Sequence, residues 1–384
     1  MSSSQPERTL VRTADEALLI VDGMIVGRGA EAERATAEDQ ATEVVDATEL
    51  AGPGARLAPG FVDIHCHGGG EASVDGSLTD VRRVLATHAA HGTTSLVLSL
   101  VSAPIDVLRA QVARIADWVG TEPGVAGSHL EGPFLDPGHK GAHDPGALRA
   151  PTPRDIDTLL EAGRGTIRQV TLAPELPGAL DAVARFAEAG VRVAIGHTNA
   201  DAATTRAAFD ADATLLTHAF NAMPPLLHRA IGPIGAALAD PRVTLEVIAD
   251  GVHVDPVLVR TLFAAAPGRV ALITDAMAAA GSSDGDYTLG SLRVRVRDGV
   301  ARLDDGAGTV GVIAGSTLTM DAAVRTAVRA GVAPADALAA ASIVPARALG
   351  LAAGTLEVGA PADVVLLDAE LAVRAVWRGG VRLA

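Results

Sequence analysis

The sequence predicts an α/β fold: a (β/α)8 barrel of the TIM type, with a small β-sandwich domain formed from both chain termini. Eight apolar, β-prone runs begin about every 30 residues, and stretches with helical spacing lie between them. Eight such repeats favour a closed barrel over an open doubly wound sheet. The two ends of the chain differ, because they hold short strand-like runs and no long helix.

The composition fits such a fold and argues against several classes of protein. The chain has 384 residues, of which 48% are hydrophobic and 20% charged, so disorder is excluded. A net charge of −15 argues against a binder of nucleic acid or anionic membranes. No apolar run of about 18 residues could span a bilayer, and the opening MSSSQPERTLVR lacks the apolar core of a signal peptide. We expect a cytoplasmic protein without a membrane partner.

The barrel elements follow one another in a regular order. The predicted strands begin near Phe61, Thr94, Val125, Ile167, Val191, Ala213, Val243 and Val270. Segments with helical periodicity include Leu78–His91, Pro104–Val119 and Ala179–Ala189. Residues 58–354 are therefore assigned to the barrel, with a β-hairpin inserted at about 285–305, and residues 1–57 plus 355–384 to the small domain.

Polar residues stand where these strands end, at the face where barrels carry their active sites. They are His65, His67, Glu131, His197, His218 and Asp275. Alternation along a strand lets His65 and His67 point into the barrel while Cys66 points outward, where a packed structural role is expected. Imidazole and carboxylate suit Zn²⁺, Fe²⁺, Mn²⁺ or Co²⁺. The alternative is that each residue only caps a strand end. The single cysteine excludes an internal disulfide and a cysteine-based zinc cluster.

Several segments resemble the amidohydrolase superfamily and, within it, the N-acetylglucosamine-6-phosphate deacetylase family. They are PGFVDIHCHGGG, SHLEGPF, KGAH, GHTNA, THAFNAM, ADGVHV, TDAM and AGSTLTM, between residues 59 and 320, and the tail PADVVLLD also matches. HLEGPF and THAFNAMPPLLHR are specific to this branch. Many dinuclear amidohydrolases bridge their metals with a carbamylated lysine. Here the only lysine, Lys140, lies in a Gly/Pro-rich loop, so a carboxylate must take that place, and Glu131 stands at a suitable strand end.

The resemblance implies a metal-dependent hydrolase that removes acetate from N-acetyl-D-glucosamine 6-phosphate in amino-sugar catabolism and cell-wall sugar recycling. Glu131, His197 and His218 would hold one divalent ion (Zn, Fe, Co or Mn). His65 and His67 would share Glu131 for a second ion, so each chain would hold one or two. Asp275 would accept the proton of the attacking water and return it to the amine, and His143 would polarise the acetyl carbonyl.

The resemblance also assigns the substrate contacts. They would come from Ala142, His143, Asn221, Ala222, Arg229, His253, Ile313, Ala314 and Gly315. Arg229 acts on the neighbouring subunit in many members, which implies a homodimer, although Ala230 replaces an acidic residue common in relatives. Two alternatives stay open: a deacetylase of N-acetylgalactosamine 6-phosphate or another N-acyl amine, and a barrel retained as a non-catalytic binding protein.

Overall fold

The computed structural model describes residues 7–37, 42–304, 306 and 311–384. Eight parallel strands form one sheet in which the spatial order follows the chain order. These barrel strands, first to eighth, are Phe61–Cys66, Thr93–Val101, Val125–Glu131, Ile167–Leu172, Arg192–Ile195, Ala213–Leu216, Thr244–Ile248 and Val270–Ile273. All eight lie where the apolar runs predicted them, within two residues at their starts.

The sheet closes because the eighth strand returns to the first. The backbone N–H of Asp275 donates to the carbonyl of His65 at 2.8 Å. The hydroxyl of Thr274 donates to the buried carboxylate of Asp63 at 2.5 Å. The predicted (β/α)8 barrel is confirmed, and the residues that follow the first and eighth strands are neighbours at its mouth.

Helices surround the sheet and bury one apolar face each against it. They are Leu78–Ala90, Ile105–Trp118, Pro153–Gly163, Ala179–Glu188, Ala202–Asp210, Gly232–Ala239, Pro256–Ala265, Met320–Arg329, Pro334–Ala340 and Ile343–Leu349. The first of these, Leu78–Ala90, has Ser77 as its N-cap, and the side chains of Ser77 and Asp80 form a capping box. No helix in the described ranges is both long and apolar enough to cross a membrane.

Both chain termini contribute to the small β-sandwich, as predicted. One four-stranded sheet contains Arg8–Arg12, Ala17–Val21, Met24–Arg28 and Glu43–Asp46. The other contains Arg56–Pro59, Val364–Leu367, Val373–Arg378 and Val381–Arg382. Leu18, Ile25 and Trp377 pack in the cluster between them.

The described residues of the N-terminal end include two short helices, where the sequence predicts strand-like runs and no long helix. Residues Gly29–Ala37 form a helix, and their Ala- and Glu-rich sequence has high helical propensity. A strand-like run at the same end, TEVVDATEL, forms a strand only over Glu43–Asp46. There the aspartate side chain accepts from the backbone N–H of Thr48 and starts the short helix Ala47–Ala51.

The predicted domain division and the predicted hairpin can be compared with the strands of the structure. The division after residue 57 falls inside the strand Arg56–Pro59, which pairs with Val364–Leu367, so the two-domain division remains a proposal. The predicted hairpin is a three-stranded sheet of Gly285–Leu289, Leu292–Arg297 and Val300–Leu303, because a second turn at Asp298 and Gly299 reverses the chain again. Residues 1–6 and 38–41 of the predicted small domain, and residue 305 of the predicted insertion, lie outside the described residues.

Candidate active site

The buried carboxylate of Glu131 is the centre of the polar cluster at the barrel mouth. Its Oε1 lies 3.0 Å from Nε2 of His197 and 3.2 Å from Nε2 of His218. Its Oε2 lies 3.2 Å from Nε2 of His67 and 3.2 Å from Nε2 of His143. Burial raises the pKa of Glu131. The charges of His65 and His143, with hydrogen bonds from His143 and His197, outweigh burial and hold the pKa well below its usual value.

The first strand adds two imidazoles to this cluster. Nε2 of His65 and Nε2 of His67 lie 3.2 Å apart, and Nε2 of His65 lies 3.3 Å from Oε1 of Glu131. Burial lowers the pKa of His67, but hydrogen bonds with Asp275 and Glu131 raise it to about 9. The surroundings of these nitrogens therefore favour positive charge.

The hydrogen bonds of the Nδ1 nitrogens indicate how the imidazole rings are oriented for metal binding. Nδ1 of His197 donates to the carbonyl of His139 at 2.9 Å, and Nδ1 of His67 donates to the carbonyl of Ser99 at 2.9 Å. Nδ1 of His65 faces a carboxylate oxygen of Glu246 at 3.3 Å. Because these oxygens accept, each Nδ1 carries a proton, and a metal bound at Nε2 would take the place of any proton held there. Nδ1 of His218 has no hydrogen-bond partner within the described part of the chain.

The donor set fits one or two divalent transition-metal ions. Ligand atoms of His65, His67 and Asp275 lie within 4.8 Å of one another, as do those of Glu131, His143 and His197. Nε2 of His218 lies 3.0 Å from Nε2 of His197 and so faces the same space. Neutral nitrogen and carboxylate oxygen donors at this separation are typical of Zn²⁺, Fe²⁺, Mn²⁺ and Co²⁺ sites. The structure brings the predicted ligands together, and their division into two ion sites stays a prediction.

Asp275 stands at the turn that ends the eighth strand, with a φ of 48°. Its backbone carbonyl accepts from the N–H of Ser316 at 2.7 Å, which holds this left-handed conformation. The side-chain Oδ1 lies 3.2 Å from Nε2 of His67. Burial raises the pKa of Asp275, but the hydrogen bond with His67 and the charges of His65 and His67 keep it below its usual value. The carboxylate is therefore ionised and able to accept a proton.

His143 lies on the loop after the third strand, with its ring buried at the cluster. The backbone N–H of Ser102 donates to Nδ1 of His143 at 3.2 Å, so the neutral ring carries its proton on Nε2. Burial lowers the pKa of His143 to about 4, although the charge and hydrogen bond of Glu131 oppose this. Near neutral pH the ring is thus an uncharged N–H donor.

A cavity of about 330 Å³ opens onto this cluster. Seven of the predicted substrate-binding residues line it: Ala142, His143, Asn221, Ala222, His253, Ile313 and Gly315. His253 is held by Asp250, whose Oδ2 accepts from its Nδ1 at 2.6 Å. Neither arginine nor lysine is among the described lining residues. Among the described residues, the cavity therefore offers hydrogen-bonding groups and imidazoles but no guanidinium or ammonium group.

Two predicted substrate contacts lie outside this cavity. Arg229 is on an exposed loop and lines a separate cavity with Arg206 and Asn199. Ala314 is fully buried, and its backbone N–H donates to the carbonyl of Ala301 at 3.1 Å. The N–H of Ala314 is therefore already used in the inserted sheet, and a substrate contact at Ala314 stays a prediction.

Buried residues outside the predicted set of ligands and substrate contacts lie beneath the cluster. Glu246, on the seventh strand, is fully buried and accepts from Nε2 of Gln169 at 2.7 Å. A lone acidic residue within the apolar run VTLEVIA was the available signal. His129 belongs to the same layer, where it contacts Oγ of Ser99 at 2.9 Å and Oγ1 of Thr171 at 2.8 Å.

Cys66 lies on the outer face of the first strand, as alternation predicts. It is fully buried in the hydrophobic core, and its thiol donates to the carbonyl of Gly68 at 3.4 Å. Burial raises the pKa of the thiol above its usual range, so it stays protonated. Asp63 and His88 approach it closely, but both oxygens of Asp63 already accept hydrogen bonds from Thr274. A packing role fits these contacts.

Comparison with known proteins gives consistent matches over most of the chain. The amidohydrolase family model matches residues 56–382. An N-acetylgalactosamine-6-phosphate deacetylase of Escherichia coli O157:H7 is 43% identical, over 84% of this chain and 86% of the relative. An N-acetylglucosamine-6-phosphate deacetylase of Bos taurus is 38% identical, over 85% of this chain and 83% of the relative.

Solved structures agree with these matches. An aspartate-to-alanine mutant of N-acetyl-D-glucosamine-6-phosphate deacetylase from Mycobacterium smegmatis, in complex with N-acetyl-D-glucosamine-6-phosphate, superposes with a TM-score of 0.90. It is 43% identical, and the match covers 99% of this chain and all of that one. More distant structures below 20% identity, such as molinate hydrolase at a TM-score of 0.62, share the fold.

Proposed function

The chain belongs to the amidohydrolase family, in the branch of the N-acetylglucosamine-6-phosphate and N-acetylgalactosamine-6-phosphate deacetylases, and from this we propose its reaction. It hydrolyses the acetamide of N-acetyl-D-glucosamine 6-phosphate to give glucosamine 6-phosphate and acetate. We propose that it does so in the cytoplasm, with one or two divalent ions (Zn, Fe, Co or Mn) per chain. The convergence of four imidazoles on the carboxylate of Glu131 is the observation that carries this proposal.

In the proposed site, Glu131, His197 and His218 hold one ion, and His65 and His67 share Glu131 with a second. Carbonyl and carboxylate acceptors behind three of the imidazoles support this assignment, since they orient Nε2 toward the cluster. A bound divalent ion supplies Lewis acidity for the acetyl carbonyl and lowers the pKa of water.

His143 acts on the acetyl carbonyl. Its Nε2–H, fixed by the hydrogen bond that Nδ1 accepts from Ser102, donates to the carbonyl oxygen as that oxygen gains negative charge. A neutral donor suits this role because it needs no proton transfer. The low pKa of His143, about 4, supports its neutrality at the working pH.

Asp275 moves the proton. As water adds to the acetyl carbon, the carboxylate accepts a proton from that water. The C–N bond then breaks, and the same proton goes to the departing nitrogen, because an amide nitrogen leaves poorly without protonation. The ionised state of Asp275 and its position beside His67 at the cavity support this role.

The phosphate of the substrate needs donors that one chain's cavity provides only in part. Asn221 and the backbone of Ala222 line the cavity, and a buried dianion requires charged partners as well. We therefore propose a homodimer in which Arg229 reaches the cavity of the neighbouring subunit. The exposed Leu226 and Leu227 on the same loop support burial against a second copy.

Acetate release from purified protein tests the proposed reaction. N-acetylglucosamine 6-phosphate should be hydrolysed far faster than unphosphorylated N-acetylglucosamine. Equal turnover of the two sugars would contradict the phosphate site, and release from neither would contradict the function.

N-acetylgalactosamine 6-phosphate is the second candidate substrate, because the relative from Escherichia coli O157:H7 carries that name at 43% identity. It belongs in the same assay. The epimer with the higher kcat/KM is then the substrate, and a faster rate with the galactosamine epimer would replace the glucosamine assignment.

A further inference from the structure

Glu246 is a carboxylate placed deep inside the barrel, beneath the metal-binding cluster. It lies on the seventh strand between Leu245 and Val247, which belong to the hydrophobic core. Alternation along the strand turns the side chain of Glu246 to the opposite, inner face. A fully buried carboxylate is unfavourable unless hydrogen-bond donors or positive charge replace its hydration.

Each oxygen of this carboxylate has one partner. Oε1 accepts from Nε2 of Gln169 at 2.7 Å, which fixes the plane of the carboxylate. Oε2 lies 3.3 Å from Nδ1 of His65. The Nδ1 nitrogen must therefore be the donor, and Nε2 of His65 faces Glu131 and His67 on the other side of the ring.

His65 differs in this respect from the other candidate ligands. The rings of His67 and His197 are oriented by neutral backbone carbonyls, and Nδ1 of His218 has no partner in the described ranges. The ring of His65 alone among these four has a negative charge behind it. A carboxylate in that position makes the opposite nitrogen a better electron donor and adds to the attraction for a dication.

We propose that Glu246 is a positioning residue that acts through His65 to secure the second ion, the one assigned to His65 and His67. The inference rests on the proposed metal sites and names a determinant of one of them. It predicts that loss of the charge of Glu246 weakens binding of the second ion. Binding of the ion at Glu131, His197 and His218 should not change.

The variant Glu246→Gln tests this with little change in shape. The amide oxygen can still accept from Nδ1 of His65, and Gln169 can turn its own amide to accept from the new NH₂ group. Co²⁺ titration of metal-free protein, followed by absorption and by equilibrium dialysis, measures both ions without reference to activity. The second Co²⁺ should bind 10- to 100-fold more weakly than in the parent, and the first should bind unchanged.

Asp321→Asn is the matched control, because it also removes a buried carboxylate but lies outside the barrel mouth. It should leave both Co²⁺ affinities at parental values. Unchanged binding of both ions in Glu246→Gln would overturn the inference, as would equal weakening of both. A parent that binds one Co²⁺ overturns this inference alone, whereas a parent that binds none also overturns the proposed function.

A second measurement needs no variant and covers the case in which Glu246→Gln does not fold. In the Zn²⁺-loaded parent, long-range ¹H–¹⁵N spectra should show His65 with its proton on Nδ1 and the metal on Nε2. A ring that binds Zn²⁺ through Nδ1, or that carries its proton on Nε2, would overturn the role of Glu246.

Discussion

Asp275 and His143 offer an anionic proton acceptor and an uncharged hydrogen-bond donor within one cavity, and this pairing gives the site its proposed chemistry. The carboxylate of Asp275 is kept ionised by His67 and His65, while burial keeps the ring of His143 neutral with a pKa of about 4. Both groups have thus lost their titratable proton near neutral pH, which leaves Asp275 as a proton acceptor and the Nε2–H of His143 as a hydrogen-bond donor. Both groups then hold the required state across neutral pH.

The substitution Asp275→Asn should remove the proton acceptor and preserve the shape of the site. We expect kcat to fall by about 10²–10⁴, the usual scale for general acid–base catalysis. Folding, the ion at Glu131, His197 and His218, and binding of the phosphorylated sugar should persist. Steady-state kinetics, metal analysis and calorimetric titration of the substrate measure these quantities.

Asp286→Asn is a suitable control, because Asp286 is exposed in the inserted sheet and its loss changes the net charge by the same amount. It should leave kcat unchanged. A near-parental kcat for Asp275→Asn would show that Asp275 only supports its turn, and the proton transfer would then pass to another group.

At the scale of elements, the strand ends could be predicted because parallel strands in a barrel deliver their last residues to one face. Repeat spacing located the eight strands, and alternation along the first strand separated His65 and His67 from Cys66. Glu246 could not be found in this way, because its role depends on which side chains of the fourth and first strands meet it inside the barrel. Nor could sequence show that the N–H of Ala314 is used by the inserted sheet.

Asp321 connects the helix Met320–Arg329 to His91, the residue that follows the first barrel helix. The sequence does not predict this contact. The carboxylate of Asp321 accepts hydrogen bonds from Thr319 at 2.6 Å, Arg325 at 2.7 Å and His91 at 3.1 Å. Burial raises the pKa of Asp321, but the hydrogen bonds from His91, Thr319 and Arg325 outweigh it and lower the pKa well below its usual value.

Asp321→Asn should therefore lower the free energy of unfolding at pH 7 by about 1.5–3 kcal/mol, the scale of hydrogen bonds to a charged group. A depressed folded-state pKa stabilises the protein fully above the unfolded value of about 3.9, and this contribution is lost as pH falls through the folded value. The difference between parent and variant should thus stay constant near neutral pH and shrink below about pH 4. Urea unfolding across this range measures it, and a gap that does not change with pH would contradict the ionic role.

At the scale of the whole molecule, the described lining of the cavity contains no arginine or lysine, while Arg229 is exposed on the same loop as Leu226 and Leu227. In a homodimer, Arg229 of one subunit would lie at the cavity of the other. Because a twofold interface repeats each contact, each subunit would then supply its arginine to the other's cavity.

Mixing an Arg229→Ala chain with an Asp275→Asn chain tests this arrangement. Each homodimer should be nearly inactive, but one cavity of every hybrid dimer would contain both intact residues. After subunit exchange at equal concentrations, about a quarter of all cavities should be active. Absence of rescue in a mixture with confirmed exchange would assign Arg229 to its own subunit's cavity, and a monomer by light scattering would contradict the dimer.

The proposed reaction depends on bound metal, and acetate release before and after chelation measures this dependence. Freshly purified protein should contain at least one divalent ion per chain, lose its activity on N-acetylglucosamine 6-phosphate when that ion is removed, and regain it with Zn²⁺, Fe²⁺, Co²⁺ or Mn²⁺. Full activity in protein with well under one divalent ion per chain would contradict the account.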